Sequence, residues 1–397
     1  MTVSIPTARK VRVGILGCGE IAQVVHIPTL NFLSDLFQIT YLCDISRTSL
    51  THCKAKVVGL EAPETTTDPE ELCASPRVDV VFVINSDEYH ALHGILALSH
   101  NKHVFIEKPM ALNDRDANAI IEAEKLSEGR VMVGYMRRYA PAFEDAIREI
   151  GGMDKILYAR VRGKLEHPLQ WWTLEVNKLI TFAIIDIIGP NATFVEQSGT
   201  FPKRATDFIP ADTDDRNERA AEIVCQGMQK EAGVSSSDVL PRIWRALGGL
   251  GSHDLSLMRE ALGMPVGVVG AYLKPPFWSA IFEYPTFSVT YESGLYSVPR
   301  FDAHFEVYSA TKTVRVQYDS PYIKGLPITM HVQEKVDGLY KESVIRRTYE
   351  DPYTIEMKEL HAMVVGGKAI KTTAEDAKRD LEIFRMLVRS AATNRNE

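Results

Sequence analysis

Cysteine is scarce and poorly spaced for its structural uses. The five, Cys18, Cys43, Cys53, Cys73 and Cys225, are odd in number and include no Cys-x-x-Cys pair. That argues against a disulfide frame or a thiolate zinc site and fits free thiols in a reducing compartment. No metal centre is expected. Long apolar runs are also missing. No window approaches the roughly 18 apolar residues of a membrane span, and the opening MTVSIPTARK has no signal-peptide core. A cytoplasmic location without membrane attachment is expected. Basic runs stop at two residues, as at Arg137-Arg138 and Arg346-Arg347, and the net charge is −7. No nucleic-acid partner is therefore expected.

What is present is a chain of 397 residues, 45% apolar, long enough for two domains of about 100 to 200 residues each. From Val11 to about Ile150, short apolar runs alternate with helical periods. The runs are Val11–Leu16, Ile39–Cys43, Val78–Ile84, His103–Ile106 and Val131–Gly134; the helical stretches include Ile21–Leu33 and Asn113–Ser127. This alternation predicts an α/β domain with a doubly wound parallel sheet over 1–150. A short acidic helix is expected where Asp68 caps and Pro69 takes the first helical position.

Beyond Gly151-Gly152 the pattern changes. Ile156–Gly163, Phe287–Tyr291, His304–Tyr308, Thr313–Tyr318 and Ile328–Lys335 follow one another without helices of crossover length between them. They predict an α+β domain over 151–397 with a mainly antiparallel sheet. Two helices, Ile355–Val365 and Thr373–Ala391, close the chain, and residues 355–391 are expected to return toward the first domain. The stretch 173–247 is irregular and reads as an insertion over the site.

The first run leads directly into Gly17-x-Gly19-x-x-Ala22. Gly17 permits the tight turn, Gly19 lets a pyrophosphate approach the main chain, and Ala22 lets the helix pack on its strand. Glu20 and Ile21 stand at the helix start, whose N–H groups favour an anion. The second run ends at Asp44, where a dinucleotide-binding fold places the acid that accepts the adenosine ribose hydroxyls. Asp44 favours NAD over NADP by charge repulsion of a 2′-phosphate, although Arg47 can turn toward such a phosphate, so NADP stays open.

Three further motifs carry chemistry. Asn85 and His90, in the turn after Val78–Ile84, are placed to bond the cofactor ribose or diphosphate; the plainer reading is a helix cap and a surface imidazole. Glu107-Lys108-Pro109 fixes a lysine at a strand end, where a cation near the nicotinamide lowers its own pKa and exchanges a proton with a substrate hydroxyl. The alternative there is a surface ion pair. His253 opens a helix after a glycine-rich run and is either an acid–base group or a structural imidazole.

Taken together, GILGCGEIA, Asp44, the NSDEYH turn, EKP, GYMRRY and GSH resemble the Gfo/Idh/MocA oxidoreductases over nearly the whole chain. The resemblance implies an N-terminal Rossmann domain and an open C-terminal sheet that commonly forms a homo-oligomer contact. It further implies a sugar, polyol or related substrate, with Lys108 as catalytic lysine and His253 handling the hydroxyl proton. Tyr135, Arg137 and Arg138 would line the cleft, and Trp171 and Trp172 would cover the substrate. One position departs from the resemblance: many members carry aspartate four residues before the histidine, where this chain has Gly249. The expected activity is NAD(H)-dependent hydride transfer at a CH–OH carbon. The alternatives are a non-catalytic dinucleotide-binding regulator, for which Gly249 speaks, and an enzyme using NAD transiently for epimerisation or elimination.

Overall fold

A computed structural model describes residues 9–166, 203, 205–235, 239–296, 301–323, 325–326 and 328–393. Six short strands form the first sheet: β1 (Val11–Leu16), β2 (Phe37–Cys43), β3 (Glu64–Thr66), β4 (Val80–Val83), β5 (His103–Glu107) and β6 (Val131–Gly134). All are parallel, in the order β3-β2-β1-β4-β5-β6. Every residue of β4 is buried, as expected of a central strand covered on both faces. The order reverses between β1 and β4, which opens a crevice beyond their carboxyl ends.

Local chemistry sets where the helices of this layer begin. They are α1 (Ile27–Phe32), α2 (Arg47–Lys56), α3 (Pro69–Ala74), α4 (His90–Ser99), α5 (Asp114–Lys125) and α6 (Pro141–Gly151). The side chains of Ser46, Asp68 and Asn113 accept from the backbone N–H groups of Ser49, Glu70 and Asp116, which satisfies donors that a helix start would otherwise leave unpaired. The helix expected over Ile21–Leu33 exists, but α1 is preceded by a wider π turn at Ala22–His26.

The second sheet has eight strands: β7 (Tyr158–Glu166), β8 (Gly267–Leu273), β9 (Phe277–Glu283), β10 (Ser288–Tyr296), β11 (Asp302–Tyr308), β12 (Lys312–Tyr318), β13 (Thr329–Val336) and β14 (Leu339–Ile345). Their order is β14-β13-β12-β11-β7-β10-β9-β8. The pairing is antiparallel except between β7 and β10, so the mainly antiparallel open sheet is present. Buried residues alternate along β9 and β12, as in a sheet with one face on a core. Strands β3, β8, β9 and β14 lie outside the apolar runs read from the sequence. β8 is diluted by Gly267 and Gly270, β3 has three residues, and β14 is a largely exposed edge.

Among the described residues the remaining α-helices are α7 (Pro210–Val224), α8 (Leu240–Ala246), α9 (Ser252–Leu262), α10 (Pro352–Gly366), α11 (Ala374–Lys378) and α12 (Asp380–Thr393). Met357, Leu360 and Met363 of α10 share one core with Val11, Ile15 and Phe82, so this helix does return to the first sheet. Helix α12 instead packs on β8. The single helix expected over Thr373–Ala391 is thus two, with Thr373 capping the first by accepting from Asp376 N. Gly367 ends α10 in the left-handed region at φ 65°.

A buried ion network joins these C-terminal helices to the first domain. Arg259 donates from Nε to Asp380 Oδ1 at 3.0 Å and from Nη1 to Asp376 Oδ1 at 2.5 Å, while Tyr135 Oη donates to Asp380 Oδ2 at 2.7 Å. Arg138 pairs with Glu260 and Asp376. Removing one member of such a buried set strands the opposite charge, at about 3 to 5 kcal/mol. Asp380→Asn is therefore expected to destabilise the chain by about 3 kcal/mol in urea unfolding. Lys341→Ala, at the exposed pair with Glu334, should cost less than about 1 kcal/mol. Equal shifts of the two midpoints would refute a special role for the network.

Candidate active site

The crevice begins at the glycine turn. Gly17 has φ +107°, and a Cβ there would come within 2.6 Å of the Asn85 main chain. Only glycine lets the turn after β1 meet the turn after β4. Gly19 is exposed, with nothing within 4 Å of where a Cβ would stand. The Cys18 N–H donates to Asp44 Oδ2 at 2.7 Å, and the Ser46 N–H donates to Asp44 Oδ1 at 2.7 Å. Burial raises the Asp44 pKa, and these two N–H groups oppose the rise. An open main-chain turn at a helix start, with a held carboxylate at the end of β2, fits a dinucleotide. Gly17, Gly19, Glu20, Ile21 and Asp44 would hold it.

At the other end of the crevice stands the lysine after β5. Glu107 is buried; its Oε1 accepts from His26 Nε2 at 2.9 Å and its Oε2 from the Lys108 main-chain N–H at 3.1 Å. Burial pushes the Glu107 pKa up, but His26 and Lys108 outweigh it and the net shift is downward. Glu107 is therefore an anion spent on fixing the loop. His90 is buried as well, with Nδ1 2.8 Å from Pro109 O and Nε2 3.1 Å from Asn85 O. Both ring nitrogens thus face protein carbonyls, and the imidazole ties the turn after β4 to the EKP loop. The surface imidazole weighed from the sequence is corrected by this burial. Asn85 stays partly exposed, its Nδ2 2.7 Å from His93 Nδ1.

The Lys108 ammonium reaches across to the second domain, where Nζ donates to Gly249 O at 2.8 Å. Gly249 lies in a π turn, Leu247–Gly251, that runs directly into α9 and His253. The packing is close at Gly248, where a Cβ would stand 2.3 Å from Leu112 Cδ2 and 3.1 Å from Pro109 Cγ. Burial lowers the Lys108 pKa; Glu107 and Asp87 oppose this, and Arg137 adds to it. The His253 pKa falls well below 6.5 through burial, then through the charges of Lys108 and Arg137. Its Nδ1 is buried with no partner among the described residues. A neutral imidazole and a lysine of lowered pKa thus share one electrostatic neighbourhood, an arrangement that suits proton exchange.

Arg137 sits beside them, paired with Asp254 and stacked on Tyr318 at 5.3 Å and Phe301 at 5.7 Å. Asp254 therefore turns to Arg137, as expected of the helical neighbour of His253. Tyr135 and Arg138, expected on the cleft, are buried in the ion network with Asp376 and Asp380. Their partners come from α9, α11 and α12, far away in sequence. Trp171 and Trp172 lie outside the described residues. No group of three or more His, Cys, Asp or Glu that could hold a metal occurs among the described residues. His26 was missed by the sequence reading, since an imidazole inside an apolar helix carries no local signal of its distant carboxylate.

Comparison with known proteins follows this geometry. The family model for the oxidoreductase family with an NAD-binding Rossmann fold matches residues 11–135. A putative oxidoreductase, YteT of Bacillus subtilis, is 34% identical over 163 residues, 40% of this chain and 37% of that protein. Myo-inositol 2-dehydrogenase of Thermotoga maritima is 32% identical over 133 residues, 34% of this chain and 38% of that protein. The chain thus spans under half the length of these curated relatives. Levoglucosan dehydrogenase, solved with NADH and levoglucosan, superposes with a TM-score of 0.69 over 97% of this chain and 98% of that one at 14% identity, so the whole fold is shared. The match to the Gfo/Idh/MocA oxidoreductase family model, described by an NAD-binding Rossmann fold, thus lies in residues 11–135 of this chain.

Proposed function

We propose that this chain is an NAD(H)-dependent oxidoreductase acting on the CH–OH or carbonyl carbon of a sugar, polyol or related hydroxylated molecule. The observation that carries this reading is the bond from Lys108 Nζ to Gly249 O, which brings the lysine of the dinucleotide domain to the helix of His253. When bound, the nicotinamide supplies the hydride acceptor or donor. Lys108 takes or returns the hydroxyl proton, His253 as a neutral imidazole donates its ring N–H to the same oxygen, and Glu107 with His26 keeps the lysine aimed. Asp44 receives the adenosine ribose and favours NAD. The substrate class draws support from the inositol dehydrogenase and levoglucosan dehydrogenase named among the similar proteins.

The cytoplasm suits the five free thiols, and the two domains divide near residue 150. Self-association is placed on the outer face of the second sheet. Tyr272, Phe277 and Ile281 at one end and Val344 at the other leave apolar surface exposed there.

Lys108→Ala should slow single-turnover hydride transfer by about 100- to 10,000-fold, with NADH affinity changed by no more than about twofold by fluorescence titration. An unchanged rate would remove the lysine from the chemistry. In the direction of alcohol oxidation the amine must be unprotonated. The rate should therefore rise with pH through an inflection below lysine's ordinary 10.5 and show none near 6.5, because His253 is already neutral there. A profile inflecting near 6.5 that disappears in His253→Asn would transfer the proton to the imidazole. For the sheet contact, light scattering should give a multiple of the chain mass, which Ile281→Lys reduces without altering circular dichroism. A monomeric wild type excludes the contact.

A further inference from the structure

The insertion between β7 and β8 reaches back to the adenosine half of the crevice. Gln23, in the π turn before α1, takes both main-chain groups of Lys203: its Nε2 donates to Lys203 O at 3.0 Å and its Oε1 accepts from Lys203 N at 2.8 Å. The same Nε2 also donates to Cys18 O at 2.8 Å, so this short strap is fastened to the glycine turn itself. Farther along the strap, the Asp207 carboxylate lands on the start of α2. Its Oδ1 accepts from Ser46 Oγ at 2.5 Å and its Oδ2 from the Thr48 N–H at 3.1 Å.

Ser46 is therefore flanked by two carboxylates, Asp44 on its main-chain N–H and Asp207 on its hydroxyl. The Asp207 charge adds to the rise of the Asp44 pKa, after burial. In a dinucleotide fold the residues just past β2 meet the adenosine ribose, and a phosphate on its 2′-oxygen turns to the hydroxyl, N–H and cationic groups there. Here the Ser46 hydroxyl and the Thr48 N–H are already taken by an anion, while Arg47 remains exposed. A 2′-phosphate would have to displace one carboxylate while lying beside another. A 2′-hydroxyl has no such conflict, since it donates to Asp44.

We propose that Asp207 is a cofactor-specificity residue: a carboxylate delivered by the insertion holds the donors at the start of α2 and excludes NADP in favour of NAD. The proposal rests on the dinucleotide reading of the same crevice, and its test separates the two. NADH and NADPH are titrated by fluorescence into the full chain and into Asp207→Asn and Asp207→Arg. The wild type should bind NADH at least about 100-fold more tightly than NADPH, a gap of about 2.7 kcal/mol. Asp207→Asn should tighten NADPH about tenfold while NADH stays within about twofold, and Asp207→Arg should tighten NADPH further, with a steeper dependence on salt. An unchanged NADH-to-NADPH ratio in both variants, or equal weakening of both cofactors, overturns the proposal. A wild type that binds neither cofactor removes the dinucleotide reading and the proposal with it.

Discussion

The site depends on one ammonium group partly withdrawn from water and given a neutral partner. Lys108 Nζ bonds the carbonyl of Gly249, a dipole that orients the amine without holding its proton as a carboxylate would. The Gfo/Idh/MocA resemblance leads one to expect an aspartate at this position, and its loss matters through charge. With glycine there, the anions that raise the Lys108 pKa are Glu107 and Asp87, and both act against burial and Arg137. The net shift of the Lys108 pKa is downward. The same balance reaches His253, since the charges of Lys108 and Arg137 help keep its ring neutral. The glycine at 249 therefore leaves Lys108 a neutral acceptor in place of a carboxylate that would raise its pKa.

Around that contact, polar groups are used up in holding the loop. Both Glu107 oxygens are engaged, by His26 and by the Lys108 N–H, and both His90 nitrogens face carbonyls. Arg137 is fixed by Asp254 and two aromatic rings. Buried ionic contacts of this kind add little net stability. Their value here is geometric, because a lysine at the end of β5 has four rotatable side-chain bonds and must keep one direction.

Much of the fold was legible because its signals are local. The parallel strands announce themselves as apolar runs, the glycine turn and Asp44 as spacing, and the lysine as a residue at a strand end. The runs failed where burial did not demand them: β14 is an exposed edge, and β8 carries two glycines. The partners of Tyr135 and Arg138 were hidden for a different reason. They follow β6 directly, where strand ends usually face a ligand, yet Asp380 and Asp376 draw them inward from α12 and α11. A carboxylate more than two hundred residues away leaves no trace in the local pattern.

The insertion shows the same limit more sharply. Among the described residues it touches the dinucleotide domain at several points along the crevice: Lys203 on Gln23, Asp207 on Ser46 and Thr48, Asp215 on Tyr89 at 2.6 Å, and Arg245 on Glu88 at 3.0 Å. Those points run from the adenosine end at α2 to the turn after β4, beside the EKP loop. A Rossmann sheet alone leaves this edge open, since its strands end there in loops. By lining that edge with fixed charges, the insertion adds discrimination that the shared glycine turn cannot supply, because the turn reads only the diphosphate common to both cofactors. In the proposed reading, selectivity rests on Asp44 together with a segment whose irregular sequence reveals its length but not its contacts.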